Sequence, residues 1–194
     1  MAPLPAPGPL RHAGCPRTPL TGRLTMRAAI ALGSNLGDRL ALLKTAARRI
    51  RTLHDGNGPF LSSPVYETAP VDCPEGSPSF LNAVVELSSS LPPFDLLALT
   101  RTWEMELGRR HDTPKNSPRP IDLDLLFVGT HQISHKALTL PHPRILERLF
   151  VLQPLADICP SRILPGMLEP VHDICDMRRL QSSRAISIYS KCLL

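Results

Sequence analysis

Pro118-Arg119-Pro120-Ile121-Asp122-Leu123-Asp124-Leu125-Leu126-Phe127-Val128 places two carboxylates two residues apart inside a run of strand-forming apolar residues. A charge in such a run needs a partner. Alternate side chains of a strand share a face, so Asp122 and Asp124 lie on one, and Ile121, Leu123, Leu125 and Phe127 on the other. Two residues of rise put the aspartate Cα atoms about 6.6 Å apart. That spacing suits one divalent cation between them, or two cations roughly 3.5–4 Å apart as in phosphoryl-transfer sites. Leu126 and Val128 extend the carboxylate face as apolar residues, which predicts a central strand with its polar end at one rim of the sheet. The competing reading, a solvated outer face, is opposed by the depletion of Asp from strands.

Immediately before this strand, residues 109–119 form a loop with Arg109, Arg110, Lys115 and Arg119, and also His111. Cations leading into a carboxylate pair suit a polyphosphate ligand. The loop follows a helix that opens at Pro92-Pro93 and carries Leu96, Leu97, Leu99, Thr100, Trp103 and Leu107 as an apolar stripe. Glu104 and Glu106 sit at its end, where the helix dipole disfavours acids, so one of them is expected to have a partner.

Further back, Arg27 to Leu32 reads as the first strand, ending at Gly33-Ser34-Asn35-Leu36-Gly37. Asp38 then caps a helix carrying Leu40, Leu43, Ala47, Ile50 and Leu53. Phe60 to Glu67 reads as one strand, residues 69–79 as a long loop of the kind used for lids, and Phe80 to Leu87 as the third strand. Asn82 is polar in that strand and either faces a site or bonds to backbone. The order strand, helix, strand, strand, helix, strand predicts an α+β fold, a ferredoxin-like βαββαβ antiparallel sheet with helices on one face. Beyond it, Gln132 to Ser134 reads as a return strand making an extra hairpin, followed by an apolar helix with Arg148, Phe150, Leu152 and Leu155 and a last helix within 167–180. The tail from Gln181 carries no clear signal. The units are thus a disordered proline-rich extension, 1–26, a catalytic domain, 27–166, and a C-terminal helix and tail, 167–194.

The composition, 42% hydrophobic and 20% charged, is that of an ordinary globular protein. Three of the five net positive charges come from Arg11, Arg17 and Arg23, leaving +2 for the rest. With aromatics at 4%, this opposes a stacking platform for nucleic acid. No apolar run reaches the ~20 residues of a membrane span. Five scattered cysteines without a Cys-x-x-Cys pair suit reduced thiols in a cytoplasmic protein. Residues 1–26 hold six prolines and no acid. That composition suits disorder, a transit segment or an over-extended start before Met26.

Gly33-Ser34-Asn35, Tyr66-x-Thr68-x-Pro70, Phe80-Leu81-Asn82-Ala83, Gly108-Arg109, Pro118 to Asp124 and Pro141-His142-Pro143-Arg144 together resemble the 6-hydroxymethyl-7,8-dihydropterin pyrophosphokinases of folate biosynthesis, over roughly residues 27–166. The resemblance implies transfer of the β,γ-diphosphate of ATP to the pterin hydroxymethyl group, with AMP released. It implies two Mg²⁺ on Asp122 and Asp124, and catalytic roles for these aspartates with Arg109 and Arg119. ATP would be held by Glu104, Arg109, Arg119, His142 and Arg148. The pterin would be held by Thr68, Ala69, Val71, Phe80, Asn82 and Phe150, its ring stacked between Phe80 and Phe150. Loops 69–79 and 109–119 would close over the substrates. The partners are small molecules, with no nucleic acid or membrane, and the protein is expected as a monomer or weak dimer. Three positions depart from the pattern: Asn116 where some members have an aromatic residue, His111 where some have arginine, and Ala69 in place of proline. The rival classes are a metal-dependent phosphoesterase and an inactive ferredoxin-like binding module.

Overall fold

The computed structural model describes residues 24–110, 112–114, 116–182 and 185–194. The extension expected over 1–26 lies outside the described residues except for its last three, as do Cys15 and the departure at His111. The elements are β1 (Met26–Ser34), α1 (Arg39–Arg51), β2 (Leu61–Ser62), β3 (Val65–Thr68), β4 (Phe80–Ser89), α2 (Pro93–Glu106), β5 (Asp122–Val128), β6 (Ile133–His135), β7 (Leu138–Leu140), α3 (Leu149–Ile158), α4 (Val171–Gln181) and β8 (Ile186–Ser190).

The main sheet runs β5-β1-β4-β3-β8, with β2 on β4, and every pairing is antiparallel. β6 and β7 form the expected hairpin. The single strand expected over 60–67 is instead two, β2 and β3. Pro64 cannot donate to a ladder, and Ser63 takes over locally: its N–H donates to Val84 O and its Oγ accepts from Val84 N, both at 2.9 Å.

The two helices of the βαββαβ pattern share one face of the sheet as expected, and the two C-terminal helices cover the other. α1 and α2 bury Leu43, Ala46, Ala47, Ile50 and Leu96 against Ala28, Ile30, Leu32 and Leu123. α3 and α4 bury Val151, Leu152, Leu155 and Ile174 against Ala29, Val84, Leu126 and Phe127. Asp38 caps α1 as expected, its carboxylate accepting from Ala41 N at 3.1 Å.

β5 departs from its sequence reading twice. It is an edge strand, not a central one; it reads as central because helices bury both its faces. Its strict alternation also fails at Leu126, where β1 steps from Ala29 to Ile30 while β5 steps from Phe127 to Leu125. This β-bulge moves Phe127 to the α3 face and Val128 to the α1 face. Asp122 and Asp124, before the bulge, keep the shared face opposite Leu123 and Leu125.

Candidate active site

The site forms at the ends of β1, β4 and β5. Gly33 pairs with Asn82 on one side and Asp122 on the other, and Thr68 of β3 pairs with Phe80. A Cβ at Gly33 would stand 3.4 Å from Asn82 Oδ1, 3.7 Å from Asp122 Cβ and 3.8 Å from Phe80, so the absence of a side chain there makes the floor of a cavity.

That cavity brings together all six residues expected to hold the heterocycle, Thr68, Ala69, Val71, Phe80, Asn82 and Phe150, and adds Arg119, Asp122, Asp124 and Arg148 to its wall. Asn82 is buried on the wall of this cavity, its amide N–H donating to Thr68 Oγ1 at 2.8 Å and not to backbone. The two ring faces are not bare. The guanidinium carbon of Arg119 lies 5.2 Å from the Phe80 centroid and that of Arg148 5.5 Å from the Phe150 centroid.

A second, more open cavity of about 510 Å³ adjoins the first. Arg109, Arg110, Arg119, Arg144, Arg148 and His142 surround it, with Asp122 and Asp124 on its wall. The sequence places Arg148 within the apolar helix; in the structure it stands just before α3 as its N-cap residue, and its side chain reaches Asp124 at 3.8 Å. Glu104 lies outside the lining of this cavity, in a neighbouring cleft with Arg109, Asp124 and His142.

Glu104 explains its own unfavourable helix position. Leu96, Thr100 and Glu104 follow at four-residue spacing on the buried face of α2, which aims Glu104 at β5. Because β5 is an edge strand, the N–H of Leu123 lacks a ladder partner, and Glu104 Oε1 accepts it at 2.7 Å. The same oxygen accepts from Arg109. Burial, only partly offset by Arg109, lifts the Glu104 carboxyl to about 7. Glu106, in contrast, pairs with Arg49 on the surface at 2.5 Å.

The two aspartates sit in opposite electrostatic conditions. Burial would raise the Asp122 carboxyl, but Arg119 and Arg109 outweigh it and hold it below the usual carboxylate range. Its Oδ2 accepts from Arg119 at 2.5 Å and its Oδ1 from Arg109. Asp124 is pushed up to about 6, by burial and by the charge of Asp122. His142 is pushed down to about 4 by burial and then by Arg148 and Arg144, so it is neutral at pH 7. Its Nδ1 accepts from Arg144 N at 3.2 Å, which leaves the proton on Nε2, 3.9 Å from Asp124 Oδ2.

The carboxylates are thus short of positive charge at Asp124, and among the described residues no group of three His, Cys, Asp or Glu could cage a metal. Mg²⁺ fits this set, since it binds through one or two carboxylates and completes its octahedron with water and phosphate oxygens. At Asp122 it would share oxygens now taken by Arg109 and Arg119.

Asn35 belongs to the Gly33-Ser34-Asn35 motif, which by itself assigns it no role. Buried at 2% exposure, it exchanges two hydrogen bonds with the backbone of Arg119, at 2.7 and 3.1 Å, and its amide donates to Pro78 O at 3.3 Å. It therefore pins the ends of both loops that border the site. Asn116, one of the departures from the family pattern, lines the same cavity, and so does Cys73, which the sequence reading did not single out. The signal for Asn35 is an amide at the end of a strand; nothing in the surroundings of Cys73 marks it.

Over residues 29–160 the chain matches the model of the 7,8-dihydro-6-hydroxymethylpterin-pyrophosphokinase (HPPK) family. It is 46% identical over 134 residues to a 2-amino-4-hydroxy-6-hydroxymethyldihydropteridine pyrophosphokinase of Bacillus subtilis, covering 68% of this chain and 77% of that one. It is 43% identical to a folate synthesis bifunctional protein of Arabidopsis thaliana, covering 66% of this chain but only 26% of that longer one. Among solved structures, wild-type Plasmodium falciparum HPPK-DHPS with pterin and p-hydroxybenzoate superposes with a TM-score of 0.61 at 15% identity, over 79% of this chain and 42% of that one. That last likeness concerns the fold alone. By sequence, the chain belongs to the 7,8-dihydro-6-hydroxymethylpterin-pyrophosphokinase family.

Proposed function

We propose that this chain transfers the β,γ-diphosphate of ATP to the hydroxymethyl oxygen of 6-hydroxymethyl-7,8-dihydropterin, releasing AMP, as a step of folate biosynthesis. One observation carries the reading beyond family membership. Arg119, Asp122, Asp124 and Arg148 line both the aromatic cavity and the cationic one, so a flat heterocycle in the first presents its substituent to phosphates in the second.

In this reading Thr68, Ala69, Val71 and Asn82 hold the edge of the heterocycle, with Phe80 and Phe150 on its faces once Arg119 and Arg148 have turned to phosphate. Arg109, Arg119, Arg148 and the Nε2–H of His142 bind the phosphates and neutralise charge that spreads over them in the transition state. Glu104 holds Arg109 in place. Asp122 and Asp124 hold two Mg²⁺ ions, which supply charge neutralisation and alignment of the transferred group. No separate base is required, because a loose phosphoryl transition state asks mainly for alignment. Loops 69–79 and 109–119 close over the substrates and exclude water.

The same reading takes 27–166 as the catalytic domain, with 1–26 as an extension and 167–194 as a C-terminal helix and tail, and makes the protein a cytoplasmic monomer or weak dimer. Four cysteines are free thiols, and no helix is long and apolar enough to cross a membrane, among the described residues. The strand order β5-β1-β4-β3 supports a ferredoxin-like core, to which β8 adds an outer strand.

Incubation with ATP, Mg²⁺ and the pterin, followed by mass spectrometry, tests the reaction. AMP and a pterin diphosphate in equal amounts are expected. ADP with orthophosphate, or AMP without a pterin product, would instead indicate a phosphoesterase.

A further inference from the structure

The segment after residue 160 lies beyond the stretch matched to the family, yet it returns to the substrate end of the sheet. β8 runs antiparallel to β3 with Ile186 opposite Thr68, Ser187 opposite Glu67 and Ile188 opposite Tyr66. Thr68 therefore has Phe80 of β4 on one side and Ile186 of β8 on the other. Its Oγ1 takes the amide N–H of Asn82, which leaves Asn82 Oδ1 over the cavity floor at Gly33. The acceptor offered to a heterocycle is thus set by a hydroxyl whose own strand would be the sheet edge without β8.

Three further contacts hold the segment there. Leu193, 1% exposed, is part of the core under α1 and α2. The Arg39 guanidinium lies 5.8 Å from the Tyr189 ring centroid, while the same side chain donates to Glu67 at 2.8 Å and to Ser79 O at 2.9 Å. Finally, Arg178, Gln181, Ala185 and Ile186 close a chamber of about 290 Å³. Its opposite wall, Thr68, Ala69, Val71, Arg148 and Phe150, is also wall of the aromatic cavity.

We infer that β8 is a positioning element of the heterocycle site: through Ile186 it fixes Thr68, and through Thr68 the orientation of the Asn82 amide. The inference rests on the pterin reading above. A strand pairing that fixes a recognition group acts on the affinity of that ligand alone, whereas a strap that only adds stability acts on both substrates or on neither.

Full-length wild type, Ile186→Gly, Ile186→Val and Leu193→Ala are compared for KM of the pterin, KM of ATP, kcat and melting temperature. Ile186 opens β8 and lines the chamber beside Thr68; glycine removes that side chain and frees the backbone, where valine keeps a β-branched residue in the strand. Ile186→Gly is expected to raise the pterin KM about tenfold with the ATP KM and kcat within about twofold. Ile186→Val keeps the pterin KM at the wild-type value, and Leu193→Ala, which loosens the anchor of the same segment, lowers the melting temperature and raises the pterin KM with the ATP KM unmoved. An unchanged pterin KM in Ile186→Gly, or a parallel rise of both KM values, overturns the inference and leaves the functional reading standing. A wild type that neither binds nor converts the pterin overturns both.

Discussion

Replacing Glu104 by glutamine should stabilise the metal-free protein at neutral pH while weakening its activity. The carboxyl is buried at 5% exposure and lifted to about 7 from an ordinary 4.5. Between those values the folded protein retains a proton that the unfolded chain has released, so stability present at pH 4.5 is lost as pH rises toward 7. At about 1.36 kcal/mol per pH unit, the gap amounts to about 3 kcal/mol. Glutamine keeps an oxygen for Leu123 N and carries no charge to desolvate, so wild type and Glu104→Gln should be alike near pH 4.5 and diverge above it. At pH 8 the variant should be about 3 kcal/mol more stable, or about 6–12 °C in melting temperature for a chain of this size. Urea titrations of both proteins with EDTA from pH 4.5 to 8 measure the difference, in which the titration of groups remote from Glu104 cancels while its neighbours Asp122 and Asp124 remain coupled to it. Parallel profiles, or a variant less stable at pH 8, would refute the argument by showing that the Arg109 pairing outweighs burial. Activity should fall all the same, because Arg109 loses the carboxylate that holds it.

Asp122→Asn and Asp124→Asn should both abolish diphosphate transfer yet differ in stability without metal. The first strips two arginines of their shared partner and should cost about 3 kcal/mol in urea unfolding, whereas the second removes repulsion and should cost nothing or stabilise. Glu86, 2% exposed between Arg27 at 2.5 Å and Arg162 at 2.6 Å, lies away from the site. Glu86→Gln should cost about 3 kcal/mol while kcat and both KM values stay unchanged. Gly33→Ala sets a methyl 3.4 Å from Asn82 Oδ1 on the cavity floor, and kinetics should show a raised pterin KM with the ATP KM unaltered.

The parts of the fold legible in the sequence were those encoded within one element. Asp38 as a cap, the stripe of α2 and the shared face of Asp122 and Asp124 depend on local spacing, and all three stand in the structure. What could not be read was pairing. Hydropathy along β5 reports that both its faces are covered, but not that one of its edges lacks a strand, and the bulge at Leu126 is a property of its register against β1. β8 was silent for the same reason. Its Ile-Ser-Ile-Tyr-Ser run is short and largely exposed, and its partner β3 lies far from it in the sequence. The cavity residues were legible through motifs, whereas their electrostatic division was not. That Asp122 is held low and Asp124 pushed up depends on which arginines fold onto which oxygen.

The account depends above all on the aspartate pair carrying diphosphate transfer to the pterin. Its most direct test is AMP release from ATP and Mg²⁺, with and without 6-hydroxymethyl-7,8-dihydropterin, in wild type, Asp122→Ala and Asp124→Ala, each checked for folding by circular dichroism. The account predicts pterin-dependent AMP in wild type and a loss of about 10³-fold or more in both variants, the worth of several kcal/mol of transition-state charge stabilisation. AMP release independent of the pterin, or a folded variant within about tenfold of wild type, would contradict it.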